Sequence, residues 1–215
     1  MRRFYYSIRK NLLHKKFRSE QDFFATYPAL TITPEELEVT KSNLRESHTK
    51  YVTEISSPAM AGSLELSALL FLITQKHKPK KVLDLGSGYS TFVFNLIHNN
   101  VVSVDDSKEW LLKTEKFLQD QGLNKYKLLS IDEFLGLSEN FDLVFVDLNF
   151  VEERIKYTKK ILSLLSKNAI VIFDDVHKDD YLIGLVKELQ TSHSYLFKRL
   201  TLDNFGRFSL LYVNA

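Results

Sequence analysis

Five acids stand at or beside the ends of apolar, β-type runs in this 215-residue chain: Asp84, Asp105, Asp147, Asp174 and Asp175. In an open α/β sheet such ends form one edge, and ligands bind beyond it. The first acid belongs to Lys81-Val82-Leu83-Asp84-Leu85-Gly86-Ser87-Gly88-Tyr89-Ser90-Thr91, an apolar run that closes on an acid and two glycines one residue apart. Thr91-Phe92-Val93-Phe94-Asn95-Leu96-Ile97 follows and reads as a helix. Glycine permits a sharp turn and a ligand's close approach, and the open amides of a helix's first turn favour polar or anionic groups. The pattern points to a nucleotide-like ligand. A bare Gly-x-Gly turn can also serve geometry alone; what strengthens it is Val101-Val102-Ser103-Val104, which ends at Asp105, 21 residues beyond Asp84. An acid at that offset reaches a ribose hydroxyl pair and can accept a charge-assisted hydrogen bond from each hydroxyl.

Elements must hold those acids in place. From Lys81 the chain alternates strands near 81–85, 101–105, 126–131, 142–147 and 169–174 with helices near 91–98, 107–121, 151–166 and 179–190. That alternation predicts a parallel sheet covered by helices on both faces. Asp106 and Glu109 suit the cap and N3 positions of the helix near 107–121, and Gly122 suits its stop. Tyr195 to Leu202 and Phe208 to Val213 are strand-like runs joined by Asp203-Asn204-Phe205-Gly206-Arg207, a hairpin-type connection with no room for a helix. The expected fold class is α/β: a Rossmann-like doubly wound sheet, mostly parallel, with an antiparallel C-terminal hairpin strand and an N-terminal helical extension. Residues 1–60 read as the extension or cap, and 61–215 as the ligand-binding domain.

Within the extension, Thr33-Pro34-Glu35-Glu36 sets cap, N1 proline and first-turn acids in order for a helix to about Glu46. Ser63 can cap an apolar helix from Leu64 to about Gln75. Residues 1–18 carry Arg2, Arg3, Arg9, Lys10, Lys15, Lys16 and Arg18 with no acid before Glu20, and Phe4, Tyr5, Ile8, Leu12, Leu13 and Phe17 fall near helical spacing. Such a helix packs on the domain or on a second subunit of a homodimer, or makes a peripheral membrane contact.

Lys81 to Thr91, Val104 to Trp110, Phe141 to Asp147 and Ile170 to His177 resemble, in order, the motifs of class I S-adenosylmethionine-dependent methyltransferases, small-molecule O-methyltransferases in particular. The resemblance runs from about residue 60 to the end, and D-x-G-x-G is the form this loop takes there. One departure is Ser90, where the family loop often has a third glycine. The resemblance implies S-adenosylmethionine as cofactor, held by Asp84, Gly86, Ser87, Gly88, Ser90, Thr91, Asp105, Asp106, Ile131, Asp132 and Asp147. Asp84 would help hold the methionine ammonium, with Ile131 and Asp132 near the adenine. Ser57, Met60, Ser63 and Glu65 are pocket candidates, because the corresponding segment borders the active site in such enzymes.

A sulfonium methyl is already activated, so catalysis mainly requires alignment of a nucleophile. For a hydroxyl acceptor a general base adds rate, and Asp147 and His177 are the catalytic candidates. By resemblance to catechol-type enzymes, Asp147 with Asp174 and Asp175 could also hold magnesium, although the third position departs from the family's asparagine. The metal is weighed and not favoured. Asp147-Leu148-Asn149-Phe150 lacks both prolines of the nucleic-acid amino-methyltransferase motif.

Composition narrows the classes further. The chain is 44% hydrophobic and 13% aromatic, with no apolar run near a membrane span's length. It has no cysteine, which excludes disulfides, thiolate metal sites and cysteine nucleophiles. A net charge of +2 does not favour nucleic acid, and the lack of an h-region argues against secretion. The expectation is a cytoplasmic methyltransferase acting on a small-molecule acceptor, most readily on oxygen. A nicotinamide-dependent oxidoreductase, or a non-catalytic cofactor-binding scaffold, is the alternative.

Overall fold

The computed structural model describes residues 12–148 and 150–215. Phe4, Tyr5 and Ile8 of the basic N-terminal segment lie outside the described residues. Farther along that segment Leu13 and Phe17 are buried in the protein's interior, while Leu12 is exposed. The chain then runs through β1 (Arg18–Ser19), α1 (Glu20–Thr26), α2 (Pro34–Glu54) and α3 (Leu64–His77) before the alternating part begins. This comprises β2 (Val82–Leu85), α4 (Tyr89–Ile97), β3 (Val101–Asp105), α5 (Lys108–Asp120), β4 (Lys127–Ser130), α6 (Ile131–Leu135), β5 (Phe141–Val146), α7 (Val151–Ser163), β6 (Leu165–Phe173) and α8 (Asp179–Glu188). Two strands, β7 (Ser194–Phe197) and β8 (Ser209–Val213), finish it.

The described residues form an eight-stranded sheet in the order β1-β7-β8-β6-β5-β2-β3-β4. Strands β4, β3, β2, β5 and β6 are mutually parallel, while β8 runs antiparallel to both β6 and β7. The expected Rossmann-like sheet with its antiparallel C-terminal end is therefore what the chain adopts. Strand β1 is an addition: its two residues pair in parallel with β7, Arg18 opposite Tyr195 and Ser19 opposite Leu196.

Alternation along each strand divides the interior between the sheet's two faces. Val82, Val101, Leu143 and Phe145 pack on one side with α2, α3 and α4 through Leu44, Tyr51, Leu69, Ile73 and Phe92. Leu83, Leu85, Val144 and Val146 pack on the other with Ile161 of α7 and Leu182 and Leu185 of α8. Residues 23–51 thus share a core with the sheet. Thr33 and Glu36 form a reciprocal capping box at the start of α2 (3.1 and 2.7 Å), and Ser63 caps α3 by accepting from the Leu66 amide at 3.1 Å. Helix α2 continues past Glu46 to Glu54 because no breaker intervenes and its buried face extends from Leu37, Thr40 and Leu44 to Tyr51.

Two local expectations are corrected. The cap of α5 is Ser107, whose hydroxyl accepts from the Trp110 amide at 3.2 Å, so Asp106 and Glu109 do not form the cap pair. The strands of the C-terminal hairpin are also shorter than read. Residues 198–202 leave the ladder, with Asp203 accepting from the Arg207 guanidinium at 2.6 Å and from the amides of Phe205 and Arg207.

Candidate functional site

Strand β2 ends in a turn that only glycine can make. Gly86 has φ +109°, and a Cβ there would lie 2.6 Å from the backbone carbon and oxygen of Asp147. The turn is locked between its neighbouring strands: the Gly86 amide donates to Val104 at 2.9 Å, and the Asp147 amide donates to Leu85 at 2.6 Å. At Gly88 the constraint comes from another element, since a Cβ would stand 2.8 Å from the Tyr51 hydroxyl of α2. Tyr89, first residue of α4, donates from its hydroxyl to the Leu44 carbonyl at 3.0 Å and lies 2.7 Å from Ser47 Oγ. The N-terminal helix therefore buttresses the turn directly.

Two carboxylates fix this loop from different sides. Asp84, fully buried, accepts from Ser90 Oγ (3.0 Å), Thr91 Oγ1 (2.6 Å) and Ser103 Oγ (3.0 Å). Burial pushes its pKa up to about 7 although these hydroxyls favour the charged form. Asp105, 4% exposed, accepts from the Ser87 amide (2.9 Å) and hydroxyl (3.2 Å) through Oδ2 and from the Ser107 amide (2.9 Å) through Oδ1. Desolvation raises its pKa to about 6.

A cavity of about 400 Å³ opens over this edge of the sheet. Gly86, Ser87, Gly88, Ser90, Asp105, Asp106 and Asp147 all line it. Asp84 and Thr91 stand outside the lining and hold the turn from behind. Ile131 and Asp132 are also outside it: they occupy the first turn of α6, Ile131 against the second core and Asp132 exposed. Trp110 of α5, half-buried, lines the cavity. Of the pocket candidates between 57 and 65, Met60 lines the cavity and is 71% exposed. Ser63 serves as the α3 cap, and Glu65 lies 3.7 Å from Lys41.

Among the lining residues that sequence reasoning missed are Tyr51, Arg154 and Arg207. Arg154 is almost entirely buried. It donates from Nε to the Leu148 carbonyl (2.8 Å) and from Nη1 to the Asp174 carbonyl (3.3 Å), and its Nη2 lies 2.7 Å from Asp147 Oδ1 and 3.3 Å from Asp175 Oδ2. Burial raises the Asp147 carboxyl above the usual range, and the guanidinium pulls it back only in part. Asp174 is raised too, by burial and by its neighbours Asp147 and Asp175, and it accepts from Ser209 Oγ at 2.9 Å. Asp175 adopts φ +60°, a left-handed conformation that Asp tolerates better than most residues. His177 stands behind it, Nδ1 3.5 Å from Asp175 Oδ1, outside the cavity lining. Arg207 ties Asp203 to the carbonyls of Ala59 (3.1 Å) and Pro58 (3.4 Å), fastening the 58–62 segment over the cavity.

No group of three His, Asp or Glu side chains converges at metal-binding spacing among the described residues. Among the described residues no helix is long and apolar enough to cross a membrane.

Solved structures of similar fold include the O-methyltransferase TomG from Streptomyces achromogenes in complex with SAM, 20% identical, covering 94% of this chain and 99% of that one with a TM-score of 0.61. Another is the O-methyltransferase from Bacillus cereus in complex with SAH (19% identity, 86% and 92% coverage, TM-score 0.62). A third is the SAH-bound Podospora anserina methyltransferase PaMTH1 (18%, 93% and 97%, 0.58). No curated protein matches the sequence. A family described as Methyltransferase domain matches residues 76–205, more than half of the chain and the span that carries the glycine turn and Asp105. On that match the chain belongs to the methyltransferase domain family.

Proposed function

We propose that the cavity binds S-adenosylmethionine and that the chain transfers its methyl group to the hydroxyl of a small-molecule acceptor. One observation carries the reading: the Ser87 amide donates to Asp105 at 2.9 Å, so the glycine turn and the ribose-reading carboxylate face one cavity. The charges agree with it. Asp105, Asp106, Asp147 and Asp175 line the cavity, while Arg154 and Arg207 are each engaged by carboxylates and Lys178 Nζ lies 3.8 Å from Asp175 Oδ2. Such a site suits a cationic nucleoside better than an anionic dinucleotide. S-adenosylmethionine, when bound, supplies an activated methyl group.

The chain's own residues do the rest. Asp105 accepts the ribose hydroxyls, the turn at Gly86 to Gly88 lets the ligand lie against backbone, and Trp110 walls the nucleoside side. Asp147, at the end of β5, takes the proton of the acceptor hydroxyl; the bound cofactor would give up its methyl group to that hydroxyl's oxygen and leave as S-adenosylhomocysteine. His177 stands outside the cavity lining, which leaves that role to Asp147. Met60 and Phe150, 71% and 72% exposed at the mouth, offer an apolar surface for the acceptor's carbon frame. Residues 1–60 act as the cap, contributing Tyr51, Ala59 and Met60 to the wall. O-methyltransferases are among the solved structures of similar fold, which supports oxygen as the acceptor atom.

Calorimetry with S-adenosylmethionine, S-adenosylhomocysteine and NAD tests the reading. The first two are expected to bind and NAD is not; binding of NAD alone would overturn it.

A further inference from the structure

We propose that the Arg154 guanidinium is the built-in cation of this site, seated between Asp147 and Asp175 where a divalent metal would otherwise be held, so that the chain aligns its acceptor without a metal ion. The geometric part stands on its own; the role in alignment rests on the methyl-transfer reading above.

Hard divalent ions bind oxygen at about 2.0–2.6 Å and need several oxygens free to turn toward them. Here Nη2 lies between the two carboxylates, 2.7 Å from Asp147 Oδ1 and 3.3 Å from Asp175 Oδ2. The neighbouring backbone oxygens are engaged as well, Leu148 by Nε and Asp174 by Nη1. The remaining acid of the set, Asp174, turns its Oδ1 to Ser209 Oγ. Tyr181 lies under the guanidinium, 5.9 Å from Cζ to ring centroid, and the arginine side chain is only 4% exposed. A guanidinium stays charged at any working pH and presents donors in a fixed plane, which suits bridging of two carboxylates. Asp147 and Asp175 thus share a permanent cationic partner supplied by α7.

The test uses the full chain with Mn²⁺ alone as probe, read by electron paramagnetic resonance, after chelator treatment and with S-adenosylhomocysteine present. Wild-type protein is expected to leave the free Mn²⁺ signal unchanged, and chelator is expected to leave the affinity for S-adenosylhomocysteine unchanged. Arg154→Met, checked for folding by circular dichroism, takes the guanidinium from both carboxylates and is expected to gain stoichiometric Mn²⁺ binding, which Asp147→Asn added to it removes. Stoichiometric Mn²⁺ binding by wild type that Asp147→Asn abolishes would overturn the proposal, as would a folded Arg154→Met protein that binds no Mn²⁺. Should Arg154→Met fail to fold, the wild-type titration decides. Failure to bind S-adenosylhomocysteine in the same samples would count against the methyl-transfer reading and not against the place of Arg154.

Discussion

Replacing Asp105 by asparagine probes the contact on which cofactor recognition depends. The carboxylate is 4% exposed and already takes the Ser87 and Ser107 amides at 2.9 Å, so it is held in place before any ligand arrives. A hydrogen bond to a charged group contributes about 1.5–3 kcal/mol net, against about 0.5–1.5 for a neutral one. With part of the contact kept by the amide, Asp105→Asn is expected to lose about 1.4–2.8 kcal/mol, or tenfold to a hundredfold in Kd. Adenosine isolates this contact, because it carries the ribose without sulfonium or ammonium. The ligand hydrogen-bonds to the charged form of a group whose pKa is pushed up to about 6, so binding releases a proton and tightens as pH rises. Wild-type affinity for adenosine should climb about tenfold between about pH 5 and 7, since one unit below its pKa an acid is only about a tenth ionised. The asparagine variant should show no such climb. Calorimetry at several pH values, with circular dichroism as a folding control, measures both. A variant that binds within about twofold of wild type, or that keeps the same pH slope, would refute the assignment.

Further outcomes follow from other contacts. Gly86→Ala forces a side chain onto φ +109° and against the Asp147 backbone. Left-handed strain alone costs about 1–2 kcal/mol, so thermal unfolding should show Tm lowered by at least about 2–4 °C, with cofactor binding lost. Asp84→Asn should flatten the pH dependence of stability: a native carboxyl raised to about 7 holds its proton more tightly than the unfolded chain, so wild-type stability falls as pH rises from about 4 to 7. Denaturant titrations of the apo protein at several pH values would show an unchanged slope if burial of Asp84 is not the cause. Phe150→Ala should raise KM for the acceptor while leaving the Kd for S-adenosylhomocysteine unchanged, and a weakened Kd would place Phe150 with the cofactor instead.

What the sequence made legible was local. The turn at Gly86 to Gly88, the caps at Thr33 and Ser63 and the alternating elements depend on neighbours within a few residues, and type and spacing alone expose them. The Gly86 turn and Asp105 lie on adjacent parallel strands, β2 and β3, whose register follows from the βαβ unit. Tyr51 was hidden because its place beside Gly88 comes from the packing of α2 across the sheet, not from any motif around it. Arg154 was hidden for a similar reason: in the first turns of an amphipathic helix an arginine reads as a solvated residue, and only the fold brings Asp147 and Asp175 to it. The cap of α5 moved to Ser107 because the Ser107 amide is drawn to Asp105 Oδ1, which sets where the helix can begin. Ile131 and Asp132 were placed by analogy of position. The capping box between Ser130 and Glu133 turns that segment into a short helix whose first residues leave the cavity.

The pairing of Arg18 and Ser19 with Tyr195 and Leu196 bears on how far the chain can be shortened. Among the described residues the Tyr195–Phe197 segment has no neighbour on that side other than the two-residue strand, so trimming past Glu20 would bare a row of backbone donors and acceptors. An uncovered row of that kind is a template for another chain's strand. Shortened proteins of this sequence should therefore self-associate, and light scattering of a version beginning at Gln21 would reveal it.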